Sequence, residues 1–317
     1  MTSGAILLAS LLDAVVGDPR WLPHPVRLMG RTIAWCDERI RPLWRSPAGE
    51  RMAGLVLAVG LPILVYAASR LAIETAGQVH WALGMGLEVL LAWTTLAARD
   101  LADHALSVVR ALEAGQLQGA RAAVSQIVGR DTAELSEPEV ARATVETVAE
   151  STADGVVAPL LYLAVGGAPL ALAYKAVNTL DSMIGHQDDR YRFFGWASAK
   201  ADDMVNWIPA RLTALLLVLA GGLMFRSAGR VRQAWRILLR DGGKHPSPNS
   251  GRPEAAMAGV LSIQLGGTNV YDGVPSARPV IGDPGSPLAA NHIRTALRLM
   301  ALATVLGVGL AAGLSLL

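Results

Sequence analysis

Twenty consecutive residues between Asp154 and Lys175 carry no charge, and none of the nineteen residues after Arg298 does either. A helix needs about 20 apolar residues to cross the hydrocarbon core of a bilayer, so both runs are long enough. Met52–Ser69, Gly77–Ala98 and Leu212–Phe225 extend the pattern. The last is short and needs Ile208–Ala210 to complete a span. A large soluble domain can bury one such run in its core, but not four or five. Only 17% of the 317 residues are charged, against about 25% in soluble domains. The chain therefore reads as all-α: a polytopic integral membrane helical protein with polar cytoplasmic helices and loops, forming a single membrane-embedded domain over residues 1–317.

Met1–Val16 is apolar but lacks a basic n-region, and Asp13 with Gly17-Asp18-Pro19 stands where a small-residue cleavage site would be. It is expected as a retained helix. Cys36 is the only cysteine, which excludes an internal disulfide and argues against a thiolate metal cage. Seven arginines fall between Arg20 and Arg51, and six more with Lys244 between Arg226 and Arg252. The positive-inside rule places both stretches in the cytoplasm. They read as juxtamembrane anchors, not as a nucleic-acid surface. Met52–Ala98 then forms a hairpin with an outer loop near Glu74–His80, and Arg99–Asp154 is cytoplasmic. Leu101, Ala105, Val108, Val109 and Leu112 recur at helical spacing. A second helix is expected from about Glu137-Pro138 through Ala149.

Parity then creates a conflict. If Gly155–Tyr174 and Ile208–Phe225 both cross, Lys175–Trp207 lies outside, although it is the most polar and motif-rich part of the chain. Alternatively, Pro159, Gly166, Gly167 and Pro169 break the first run into a re-entrant or buried piece, which is tolerated where it lines a protein cavity. Both remain open at this stage. Val270–Pro287, rich in Gly, Pro and Asp, is expected to be irregular.

Five segments could carry chemistry. Asp13 through Gly17-Asp18-Pro19-Arg20, with Pro23-His24-Pro25-Val26-Arg27, predicts a rigid loop displaying Asp18, His24 and Arg27, because two prolines hold His24 extended. Arg142, Glu146, Glu150 and Asp154 are four residues apart and share a helix face, so three carboxylates in line invite a cation. Lys175, Asn178, Asp181 and Ser182 form a polar stripe after an apolar run, suited to phosphate and metal contacts. Asp202, Asp203 and Asn206 place adjacent acids beside a membrane, where they are costly unless solvated or ligated. In Gly242-Gly-Lys244-His245-Pro-Ser247-Pro-Asn249-Ser250-Gly251-Arg252-Pro253-Glu254, a punctuated loop feeds a helix N-terminus, a ready anion site. No Walker, Rossmann or Gly-x-Ser-x-Gly pattern occurs. Each segment alone also has a structural reading as a cap, a solvated face or a snorkelling lysine.

Taken in order, these segments resemble the CobD/CbiB family. The matching stretches are Leu12-Asp13 to Asp18-Pro19 with His24-Pro25-Val26, Ser125 to Gly129-Arg130-Asp131-Thr132, and Glu146 to Glu150 and Asp154 to Pro159. Lys175-Ala-Val-Asn178-Thr-Leu-Asp181-Ser-Met, Asp202-Asp203 to Asn206, Pro209 and Arg211, and His245 to Asn249 and Pro253-Glu254 complete the series. Two departures are Ser151, where Asn is expected, and His186-Gln187, where Tyr-Lys is expected.

The resemblance implies an adenosylcobinamide-phosphate synthase of the cell inner membrane. Such a ligase joins the free propionate of adenosylcobyric acid to (R)-1-amino-2-propanol O-phosphate, or to free aminopropanol, with ATP cleaved and Mg²⁺ required. It implies Mg²⁺ at Glu150, Asp154, Asp181, Asp202 and Asp203. Lys175, Arg130 or Lys244 would meet phosphoryl charge, and His24 or His245 would act as base. Asn178, Ser182, Asn206, Ser247, Asn249 and Arg252 would complete nucleotide and phosphate binding. Expected partners are these substrates, the lipid bilayer and other membrane-associated cobalamin enzymes. Two other readings stay open: a transporter, to which Glu88, His80 and the Gly/Pro-broken runs point, and a non-catalytic scaffold for corrinoid enzymes.

Overall fold

Caps written in the sequence start the helices. Thr2, Ser46 and Ser227 side chains accept amide hydrogens at helix N-termini, and Ser136 with Glu139 forms a capping box. In chain order the helices begin α1 (Ser3–Val16), α2 (Pro25–Arg39), α3 (Pro47–Val79), α4 (Trp81–Trp93), α5 (Ala98–Glu113), α6 (Leu117–Val124) and α7 (Glu137–Thr152). After a π-helical turn at Ala153–Val157 come α8 (Ala158–Ile184), α9 (Trp196–Val205), α10 (Trp207–Phe225), α11 (Ala228–Asp241) and α12 (Gly251–Leu261). Strands β1 (Leu265–Tyr271) and β2 (Val274–Ile281) precede α13 (Ala290–Leu314). This computed structural model describes every residue except Arg20, Leu22, Arg45, Gln187, Asp272, Ser286 and Leu317. Arg20 of the first motif and Gln187 of the second departure thus lie outside the described residues.

Five helical stretches are long and apolar enough to cross a membrane: Pro47–Val79, Trp81–Glu113, Glu137–Ile184, Trp207–Phe225 and Ala290–Leu314. Each contains most of one apolar run read from the sequence, and the protein is an all-α polytopic membrane protein. The loop expected near Glu74–His80 is shorter than anticipated. α3 continues to Val79, and only His80 breaks the helix, its ring accepting the Ala82 amide hydrogen to cap α4.

The run Gly155–Tyr174 is broken, the second of the two alternatives. Gly167 adopts φ 67°, ψ −167°, a region open essentially to glycine alone. Tyr162 and Tyr174 stack with ring centroids 4.9 Å apart and planes 18° apart. Twelve residues of unbroken helix would separate them by about 18 Å. The chain therefore doubles back within α8, and Lys175 emerges level with Tyr162. Glu88 of α4 faces this break, its Oε1 being 2.9 Å from where a Cβ on Gly167 would stand.

The fold sorts into two compact units, Met1–Ala97 with Ala158–Asn206 and Val308–Leu317, and Ala98–Val157 with Trp207–Gly307. The first has a core of Met29, Ile33, Leu61, Leu172, Leu180, Ile184 and Phe194. The second has a larger one, including Val108, Val145, Leu217, Ile237, Met257 and Ile293. On α1 and α3, Leu7, Leu11, Val56, Ile63 and Leu64 are exposed, as lipid-facing side chains must be.

Two expectations are corrected. Val270–Pro287 is largely not irregular: β1 and β2 pair antiparallel, with Asn269 opposite Ser276 and Gly267 opposite Arg278. Gly266 and Gly267 serve the bulge in β1 and Gly273 the turn, all at positive φ, and the prolines of β2 are tolerated because a two-stranded sheet is all edge. Nor is the Pro23–Arg27 segment wholly a loop. Pro25 opens α2, with His24 as its extended N-cap and Arg27 inside the helix.

Candidate functional site

In the first unit the polar stripe is helical as expected. Lys175 Nζ donates to Asn178 Oδ1 at 3.3 Å, and Asn178 Nδ2 donates to Asp202 Oδ1 at 3.4 Å. Ser182 Oγ turns back to the Asn178 carbonyl. The tyrosine stack aims both hydroxyls at the end of α9: Tyr162 donates to the Val205 carbonyl at 2.8 Å and Tyr174 to Asn206 Oδ1 at 2.9 Å. The doubling-back of α8 is what makes this double support possible. Asp203 pairs with Lys200 at 3.2 Å. Where α8 ends, Gly185 is packed so closely on Asp181 that a Cβ would collide with its carboxylate.

Asp202 is the focus of this cluster. Burial and the neighbouring Asp181 raise its carboxyl to about 7, against the hydrogen bond from Asn178 that favours the anion; Asp203 adds a smaller upward push. Three carboxylates thus crowd one lysine stripe, and one of them holds a proton near neutrality.

The second unit holds a different cluster. Arg130 Nη2 meets Glu146 Oε2 at 2.6 Å, and its Nη1 meets Asn269 Oδ1 at 2.8 Å. Arg142 lies 3.6 Å from Glu146 Oε1, which also accepts the Gly266 amide hydrogen at 2.8 Å. Arg142 reaches the carbonyls of Gly266 and Thr268 as well. Glu146 therefore clamps α7 to β1 instead of standing as an open ligand. One turn on, Glu150 accepts from Ser250 Oγ at 2.6 Å. Asp154 falls in the π-helical turn, a geometry common at functional positions.

Glu254 is almost fully buried. That burial, with Glu146 and Glu150 nearby, pushes its carboxyl well above the usual range. His245 is held below the usual imidazole range by burial, then by Arg278. Its Nδ1 accepts the Ser247 amide hydrogen at 3.0 Å, and Arg278 lies against Nε2. Ser247 Oγ accepts from the Asn249 and Ser250 amides, while Arg252 opens α12 with its Nε buried and without a partner.

Several expected site residues are already engaged. Lys244 Nζ is 2.6 Å from Asp241, which also binds Arg240 and the Gly282 amide. His24 Nδ1 accepts the Val26 amide hydrogen, and its Nε2 lies 3.6 Å from Asp18. Both of its nitrogens thus serve the turn between α1 and α2. Among the described residues, no group of three or more His, Cys, Asp or Glu forms a ready metal cage. Asn269, Tyr271, Arg278 and Glu254 were missed as site candidates. Tyr271 and Arg278 lie in the segment read as irregular, and Asn269 lies just before it. Its Asp272-Gly273 dipeptide, a hairpin signal, was the available clue.

The CobD/Cbib protein family profile matches residues 6–300. A cobalamin biosynthesis protein CobD from Geobacter metallireducens is 55% identical, covering 94% of this chain and 92% of its own. Proteins of the same name from Halalkalibacterium halodurans and Klebsiella pneumoniae are 46% and 44% identical, covering 96% and 99% of this chain and 93% and 97% of their own. No solved structure matches.

Proposed function

The chain belongs to the CobD/CbiB family of cobalamin biosynthesis proteins, and on that premise we propose that it is the ligase that amidates adenosylcobyric acid. The carboxylate of the free propionate is joined to aminopropanol O-phosphate, or to aminopropanol, and ATP is consumed as a co-substrate. The observation that carries this reading is the Asp202 cluster. An ammonium must lose a proton before it can attack an activated carboxyl, and a buried carboxylate with affinity near neutrality suits that transfer.

In this reading Asp202 takes the proton. Asn178 orients one of its oxygens, and the Tyr162–Tyr174 pair holds the end of α9 in place. Lys175 neutralises charge on the transferred phosphoryl group. Mg²⁺ is typically held by one or two carboxylates plus substrate phosphates. Asp181 and Asp203, which both press on Asp202, fit that donor set without a preformed cage. Bound there, the ion would supply charge neutralisation at the phosphates. Asp202, Asp203 and Lys175 belong to the segment that the return of α8 brings back toward its side of entry, which favours a cytoplasmic site within reach of ATP. His24 and His245 are less suited to the role, because each already uses its Nδ1 lone pair to accept a backbone amide hydrogen.

The test is turnover by purified, detergent-solubilised protein given adenosylcobyric acid, MgATP and either donor, with product mass and released nucleotide recorded. Amide formation with ADP release supports an acyl phosphate route, whereas AMP points to an adenylate. Absence of amide with both donors, in protein shown to be folded, rejects the reading.

A further inference from the structure

In the second unit two buried side-chain donors, Arg252 Nε and Asn269 Nδ2, have no partner. Arg130 and Arg142 share Glu146. Arg278 differs: among the described residues no carboxylate lies within ion-pair distance of it. Its partners are the Tyr271 hydroxyl at 2.9 Å and the His245 ring. Because His245 Nδ1 accepts the Ser247 amide hydrogen, the proton of the neutral ring sits on Nε2. That N–H faces the Arg278 guanidinium, so two donors oppose each other with no acceptor between them.

A third donor lies on the same face of the hairpin. Asn269, 2% exposed, gives its Oδ1 to Arg130 and Arg142, and its Nδ2 has no partner. In the antiparallel register Asn269, Tyr271 and Arg278 share one side of the sheet, since side chains alternate along each strand. Gly267, opposite Arg278, brings no side chain to this face, and a Cβ there would meet only Arg142 Nη1, at 3.7 Å. Burying donors without acceptors is costly, and an acceptor-only ligand with surplus negative charge relieves it.

We propose that Arg278, His245 Nε2 and Asn269 Nδ2 form an anion site for a phosphomonoester dianion, with Arg278 as the residue that reads it. A tetrahedral oxyanion accepts hydrogen bonds from several directions and suits the planar guanidinium fork. Resting on the synthase reading, the dianion has two sources, the terminal phosphate of the nucleotide or the phosphate of the amine donor. The anion site itself stands on the donor geometry.

The test is calorimetric titration of the full-length, detergent-solubilised chain with inorganic phosphate. Arg278→Met is expected to weaken binding about tenfold or more, and Arg278→Lys by less. Arg236→Met, which removes an exposed cation paired with Asp283, is expected to leave it unchanged. If Arg278→Met does not fold, as judged by gel filtration and Tm, Tyr271→Phe takes its place. That change leaves the charge and removes a partner that orients it, and a several-fold loss is expected. Competition by ATP or by aminopropanol O-phosphate then assigns the source. Phosphate binding that is absent from the wild type, or undiminished in folded Arg278→Met and Tyr271→Phe, overturns the site. Because no turnover is read, failed amide synthesis with intact phosphate binding counts against the synthase reading alone.

Discussion

The two polar clusters are opposites in charge. Around Asp202, the neighbouring Asp181 and Asp203 add negative charge that a retained proton relieves, while Lys200 pairs with Asp203 and Lys175 with Asn178. Around Glu146, the guanidiniums of Arg130 and Arg142 share one carboxylate, while Arg278 has none within ion-pair distance among the described residues. The first arrangement draws cations, whether an ammonium or a divalent metal, and the second draws oxyanions. They also differ in how rigid they are. Glu146 is pinned by two arginines and a backbone amide, whereas Asp202 receives one long hydrogen bond, 3.4 Å from Asn178 Nδ2. A group that must exchange a proton needs the looser setting, and one that fixes a hairpin to a helix needs the tighter one.

The largest expected effect tests whether the acid cluster is catalytic. Asp202→Asn keeps the shape and removes the base, so amide synthesis should fall by about 10²- to 10⁴-fold with Tm nearly unchanged. In the wild type, protonation of Asp202 blocks proton acceptance, so kcat/KM should decline tenfold per pH unit below about 7. A flat profile down to pH 5.5 would place the base elsewhere.

The same kind of substitution in the other cluster should act through stability. Glu146→Ala leaves Arg130 and Arg142 buried without their carboxylate, at a cost of about 3 kcal/mol or more. Denaturation in detergent should show it, and an unchanged midpoint would remove the clamp role assigned to Glu146.

A smaller loss is expected at the break in α8. Gly167→Ala forces a side chain into a glycine-only region against Glu88, costing about 1–3 kcal/mol. Activity should fall with it if the doubling-back positions Tyr162 and Tyr174. Loss of stability alone would separate the break from the Asp202 site.

The smallest effect is a pH slope. Arg240, with Lys244 and the Gly282 amide, holds the Asp241 carboxyl well below the usual range, against the effect of burial. Its stabilisation is complete above the unfolded value near 4 and is lost as pH falls. Thermal midpoints recorded from pH 7 to 3 should therefore drop more steeply for the wild type than for Asp241→Asn. Parallel curves would show that Asp241 is not ion-paired in solution.

Local signals were legible where they are local in cause. Helix α7 begins where Ser136-x-x-Glu139 and Pro138 say it should, and α5 buries Leu101, Ala105, Val108 and Val109 as their spacing requires. The Lys175 stripe was visible because a helix converts a spacing of three and four into one face. The second cluster was only half visible. Glu146, Glu150 and His245 lie in segments that read as functional, but Arg278 and Asn269 reach them through strand pairing between residues about 130 positions away from Arg130 and Glu146. Nothing near Arg278 in the sequence announces that partner.

The sequence alone determined that this chain is a membrane-embedded helical protein of its family, since uncharged runs and ordered motifs need no partner to be read. Tertiary structure decided which of those motif residues remain available. Lys244, Glu146 and His24 turned out to be engaged by Asp241, Arg130 with Arg142, and the start of α2. Tertiary structure also decided that α8 doubles back at Gly167, because only the Tyr162–Tyr174 contact distinguishes a returning arm from a crossing one. Charge and hydropathy act within a few residues along the chain. Desolvation of Asp202 and the partners of Arg278 depend on what folding brings from elsewhere in the chain.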